Sequence, residues 1–221
     1  MAMVAVPATA DNLPVVPAAG VAPVVLPTGA PVPGPPGRPR RGTGTIGTLL
    51  FCAADFMVLA AIVATYLSIK SGSAAWPPKG VHVGTYIPTI VSITVAMSGF
   101  AMQWAVFAAR RNDGRNAAVA LGLTIFLGVA VLNLEWLAFV RAGFGFKAHT
   151  YATLFYLLIG YHVFHLLVAM AVVLVMALRT LAGHFTTDRH DPLRAAAVFW
   201  QYTNLVWFVS ATALFILSRH G

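Results

Sequence analysis

The sequence predicts an all-α integral membrane bundle of five transmembrane helices, and three observations carry that prediction. Of its 221 residues, 59% are hydrophobic and 9% charged, where soluble domains carry about 25% charged residues. The apolar residues fall into five blocks, each near the ~20 residues that cross about 30 Å of hydrocarbon. The connectors are short and polar or rich in turn formers, as in Trp76-Pro77-Pro78-Lys79-Gly80 and Arg110-Arg111-Asn112-Asp113-Gly114-Arg115. So little polar surface cannot cover a water-facing globule, so the long apolar blocks belong in lipid.

Residues 1–43 come first, a Pro/Ala-rich arm that ends in Arg38-Pro39-Arg40-Arg41. Its prolines, among them Pro31, Pro33, Pro35 and Pro36, lack the N–H that a helix needs, so an extended or disordered arm is expected. A signal peptide would place basic residues before an apolar core, and here the order is reversed. The five-helix domain, 44–221, follows, with spans at about 44–69, 85–109, 116–140, 149–179 and 195–218. The fourth is long enough to tilt or to project beyond the bilayer. Gly122, Gly128, Gly160, Ala169 and Ala171 allow close backbone approach, so a compact bundle is expected. The chain shows no internal repeat of the kind that secondary transporters carry.

The basic residues set an orientation. Arg38, Arg40, Arg41, Arg110, Arg111, Arg115, Arg179, Arg189 and Arg194 fall on one side; Lys70, Lys79, Arg141, Lys147 and Arg219 fall on the other. This bias predicts the N-terminus inside and the C-terminus outside. It also accounts for the net charge of +8 without a nucleic-acid partner, because the charge sits between apolar blocks. The single cysteine, Cys52, excludes an intrachain disulfide and a multi-thiolate metal site.

Two of the six acidic residues, Asp55 and Glu135, lie within apolar blocks. An ionised carboxylate there costs at least about 2.5–3.5 kcal/mol on insertion scales. Each therefore stays protonated, pairs with a cation or binds something that offsets the cost. For Asp55, a proton-accepting or lipid-headgroup role and a plain interhelical hydrogen bond both stand open. For Glu135, nearer the end of its helix with Arg141 some turns on, structural pairing or snorkelling is expected. His162 and His165 share one face of the fourth helix. Two imidazoles fall short of the three or four ligands of a metal site, so interhelical hydrogen bonding is the expectation. On the last helix Trp200, Thr203, Asn204 and Trp207 recur at helical spacing, and Gln201 and Asn204 need partners inside a bilayer. No haem-ligand pair, cysteine cluster or phosphate-binding loop is visible.

Taken in order, these motifs resemble subunit III of the haem-copper respiratory oxidases, in the short five-helix bacterial form, over about residues 44–218. The fourth helix, His149-Thr150-Tyr151 through Gly160-Tyr161-His162-Val163-Phe164-His165, is similar to the family's Phe-x-x-x-Thr-Gly-Phe-His-Gly-x-His-Val. The first helix resembles the family's Ser-Glu-x-x-Phe-Phe segment, with Asp55 where the family has glutamate. Trp76-Pro77-Pro78-Lys79-Gly80 matches its Trp-Pro-Pro-x-Gly turn, and Glu135-Trp136 its Glu-aromatic pair. The last helix is similar to Tyr-Trp-His-Phe-Val-Asp-x-Val-Trp, kept here as Trp200, Tyr202 and Val206-Trp207, with Gln201 in place of histidine and Asn204 in place of aspartate.

The resemblance implies a non-catalytic subunit without metal or haem in a bacterial cell (inner) membrane. It would pack on the catalytic oxidase subunit I, which holds haem and copper and reduces oxygen to water, and on other oxidase subunits. It would hold phospholipids and support proton uptake and stability in its neighbour, and a respiratory supercomplex is a further implied partner. The candidate lipid, proton or structural polar sites are Asp55, Glu135, His162, His165, Trp200, Gln201, Asn204 and Trp207; no catalytic, cofactor or metal residue is assigned. Three other readings stay open: a small proton or solute transporter using Asp55 and Glu135, a metalloenzyme using His162 and His165, and an accessory subunit of a related nitric-oxide-reducing complex.

Overall fold

A computed structural model of the chain describes residues 42–78, 81, 84–182 and 191–217. The expected N-terminal arm, apart from Gly42 and Thr43, lies outside the described residues, as does the expected end of the last span at 218. The described residues form five helices and no strand: α1 (Thr43–Ser71), α2 (Tyr86–Arg110), α3 (Gly114–Arg141), α4 (Thr150–Leu181) and α5 (Asp191–Ala211), the last continued by a π-helical turn, Thr212–Ile216. The expected all-α fold of five helices is therefore present among the described residues.

Four of the five helices, α1 to α4, are long and apolar enough to cross a membrane. The fifth differs for a physical reason. It packs against α1, α2 and α4, so its polar residues Thr203, Asn204 and Ser210 are buried by protein rather than presented to lipid. A helix shielded on several sides does not need an apolar circumference. Its largest side chains, Trp200 and Trp207, are almost fully buried and form the centre of the core. By contrast α1 packs mainly on α5 rather than on its chain neighbour α2. Only 11% of the most apolar stretch of α1 is buried, against 39–44% for α2, α3 and α4.

Local contacts close the ends. Asp113 caps α3 by accepting the Asn116 N–H at 3.0 Å, and this bond holds its carboxyl below the usual carboxylate range. Asn112 adopts the left-handed conformation (φ 58°) just past α2, which asparagine tolerates. Asp191, at the start of α5, caps a different helix: its carboxylate accepts Thr45 Oγ1–H at 2.7 Å and the Gly44 N–H at 3.0 Å. The turn after α1 folds back into the bundle, with the Trp76 indole donating to Tyr66 Oη at 2.9 Å and its ring edge-on to Tyr66 and Tyr151. The π-helical turn frees carbonyls from the regular ladder. Tyr151 Oη–H donates to Leu214 O at 3.2 Å and Lys70 Nζ donates to Leu217 O.

Candidate functional site

Three polar clusters cross the apolar core, and α5 or α4 contributes to each. The first is centred on Asp55, about 18 Å along α1 from Thr43 at 1.5 Å per residue. Its Oδ2 accepts the Tyr161 hydroxyl from α4 at 2.6 Å and the Tyr202 hydroxyl from α5 at 2.5 Å. His165 Nε2 lies 2.9 Å from the same oxygen. The other ring nitrogen of His165, Nδ1, faces the Tyr161 carbonyl at 2.8 Å. A carbonyl can only accept, so Nδ1 carries a hydrogen. One proton is then left between Nε2 and Asp55, as imidazolium against carboxylate or as imidazole against carboxylic acid. Either way the pair is neutral, which removes most of the cost of placing Asp55 in a bilayer. The Asp55 side chain stays 18% exposed, so the cluster is not sealed.

The second cluster is sealed. Glu135 Oε1 on α3 meets His162 Nδ1 on α4 at 2.5 Å, with both side chains 0% exposed. Glu135 Oε2 and His162 Nε2 have no protein partner. The expected tie to Arg141 does not form, because six residues turn a helix through about 240° beyond one full turn, away from Glu135. Arg141 instead lines an apolar cavity with Tyr86, Phe144 and Phe155. Snorkelling is corrected as well, since Glu135 points inward. The His162 ring rests against Trp207, with ring centroids 5.3 Å apart.

The third cluster joins α5 to α2. The Trp200 indole donates to Ser98 Oγ at 3.1 Å and the Trp207 indole to Ser92 Oγ at 2.9 Å. Gln201 Nε2 donates to the Gly99 carbonyl at 3.0 Å, and Asn204 Nδ2 to Gln201 Oε1 at 3.4 Å. Gly99 makes this approach possible: a Cβ there would stand 2.9 Å from Asn204 Nδ2 and 3.0 Å from Gln201 Oε1. Gly128 does the same on α3, where a Cβ would stand 3.0 Å from the Trp200 ring.

His162 and His165, which share one face of α4, thus serve different neighbours, α3 and α1. Among the described residues no three His, Cys, Asp or Glu side chains gather as a metal site would require. Sequence reasoning passed over Tyr161 and Tyr202 as partners of Asp55, and Ser92, Ser98 and Gly99 as the counterpart of α5. The available signal was the tyrosines' position within the histidine and tryptophan motifs; what was missing was the α1–α5 pairing.

Proteins of known name are similar to this chain in sequence. The family described as cytochrome c oxidase subunit III matches residues 40–218. A protein of Thermostichus vulcanus named cytochrome c oxidase subunit 3 is 25% identical over 175 residues, covering 79% of this chain and 87% of that protein. One of the same name from Synechocystis is 27% identical over 173 residues, covering 77% and 74%. Another, from Marchantia polymorpha, is 28% identical over 169 residues, covering 73% of this chain but only 63% of the longer plant protein. The match takes in every helix that builds the three clusters, and the chain belongs to the cytochrome c oxidase subunit III family.

Proposed function

We propose that this chain is the non-catalytic subunit III of a haem-copper terminal oxidase in a bacterial inner membrane, N-terminus inside. In this reading it packs on subunit I, the partner that carries haem and copper and reduces oxygen to water with proton translocation. Electrons come from cytochrome c, the donor that the relatives' name carries over. The alternatives, a transporter or an accessory subunit of a nitric-oxide-reducing complex, find no support among the relatives.

One observation carries the reading furthest: α1 is the least covered helix, and it supplies the partly exposed Asp55. Ile46, Leu50, Phe51, Met57 and Val58 leave most of its surface apolar and exposed. Such a face, rimmed by little charge, suits an obligate protein or lipid contact in the membrane. The Asp55–His165 pair can accept or return a proton at that boundary, with Tyr161 and Tyr202 holding the carboxylate in place. This supports a role in lipid retention and in the neighbour's proton uptake.

Two experiments test it. Extraction in mild detergent should bring down a haem-copper chain in stoichiometric amount; its absence would overturn the assignment. Asp55→Asn should then speed the loss of activity during turnover or deplete bound lipid, because asparagine keeps the shape of the site but cannot share the proton. An unchanged complex would remove Asp55 from the mechanism.

A further inference from the structure

At the end of the bundle where α1 begins, α2 finishes and α5 starts, and a crevice of about 300 Å³ opens between those two helices. Arg110, in the last turn of α2, and Arg194, in the first turn of α5, both line it, with Val106, Ala197 and Val198 about one turn further along and Gln103 and Gln201 beyond them. Gln103 and Gln201 each lie seven residues from their arginine, about 10 Å along the helix axis. Along the helix axes the crevice is thus cationic at the helix ends, apolar about one turn on and amide-lined beyond.

Two guanidiniums facing one crevice repel each other unless an anion stands between them. Among the described residues no carboxylate bonds to either. Asp191, one turn from Arg194, acts on it only through space, its oxygens being held by Gly44 and Thr45. Asp113 is held by Asn116. Arg111, next in sequence, points elsewhere and stacks on Phe107 at 4.0 Å.

We propose that this crevice binds the phosphate of an anionic phospholipid, clamped by Arg110 and Arg194, with an acyl chain along Val106, Ala197 and Val198. The apolar wall and the position at the ends of membrane-crossing helices match a lipid rather than free phosphate. The site lies on the α2–α5 side, apart from the Asp55 cluster. It deepens the lipid-holding part of the proposed function and rests on that reading.

The test uses the whole complex, extracted in mild detergent and delipidated only to the point where subunit III stays bound. Wild type should retain tightly held phosphatidylglycerol or another anionic lipid, counted by mass spectrometry. Each arginine near the headgroup is worth about a factor of five, so Arg110→Gln/Arg194→Gln should bind that lipid about thirty-fold more weakly. Arg110→Lys/Arg194→Lys should retain most of the binding. The charge-matched Arg111→Gln/Arg115→Gln variant should bind as wild type does. In titrations of delipidated wild type, phosphatidylglycerol micelles should raise the melting midpoint, while phosphatidylcholine micelles and inorganic phosphate should not.

Equal lipid retention in wild type and in the Arg110/Arg194 glutamine variant overturns the site but leaves lipid holding intact. No tightly bound anionic lipid on wild type overturns lipid holding itself. An equal shift with inorganic phosphate, or a carboxylate of another subunit cross-linking into the crevice, overturns the lipid as occupant.

Discussion

Replacing His162 with leucine should strand Glu135 in the driest part of the bundle. The two groups meet at 2.5 Å with neither exposed, and Glu135 Oε2 has no other protein partner. Removing one member of a buried pair typically costs about 3–5 kcal/mol, because the survivor stays desolvated and unpaired. Glu135→Leu should cost about as much, leaving the imidazole alone. Glu135→Leu/His162→Leu removes both polar groups together and should lie within about 1 kcal/mol of wild type. The cycle then gives a coupling of about 5 kcal/mol or more. An ordinary interhelical hydrogen bond in a bilayer averages about 0.6 kcal/mol, so the two cases are well separated. Reversible unfolding in mixed micelles, followed by tryptophan fluorescence, provides the assay, and Trp207 reports locally because its ring packs on His162. Additivity of the single changes within about 0.5 kcal/mol would refute the view that these residues bond to each other and hold α3 to α4.

Further outcomes test the other contacts. Gly99→Ala places a methyl 2.9 Å from Asn204 Nδ2, and the overpacking should cost about 1–3 kcal/mol; unchanged stability would show that the Gln201–Asn204 pair yields freely. Asp191→Ala should loosen the start of α1 by about 1 kcal/mol, the usual loss of a capping oxygen, seen as faster amide exchange at Gly44 and Thr45. The bond from Thr45 holds the Asp191 carboxyl below its ordinary value. The contribution of Asp191 is therefore fully present above the ordinary carboxylate range and is lost as pH falls through the lowered folded value. The exchange difference between wild type and the alanine variant should vanish only under those acid conditions, and a difference lost already near neutral pH would contradict the bond.

The long apolar runs determined by themselves that this chain lies in a bilayer and how many helices it forms, because span length is a one-dimensional property that lipid thickness imposes. The motifs likewise marked Asp55, Glu135, His162 and His165 as polar groups that must be compensated. Which group compensates which was a tertiary decision. Asp55 meets His165, Tyr161 and Tyr202 because α1 packs on α5 and beside α4, a pairing that no hydrophobic period encodes. Glu135 meets His162 rather than Arg141 because helical rotation carries Arg141 to another side. Hydropathy also separates α5 from α1–α4 without saying why. Its polar residues are tolerable only because three other helices surround it and exclude lipid, and that exclusion exists only once the bundle has assembled.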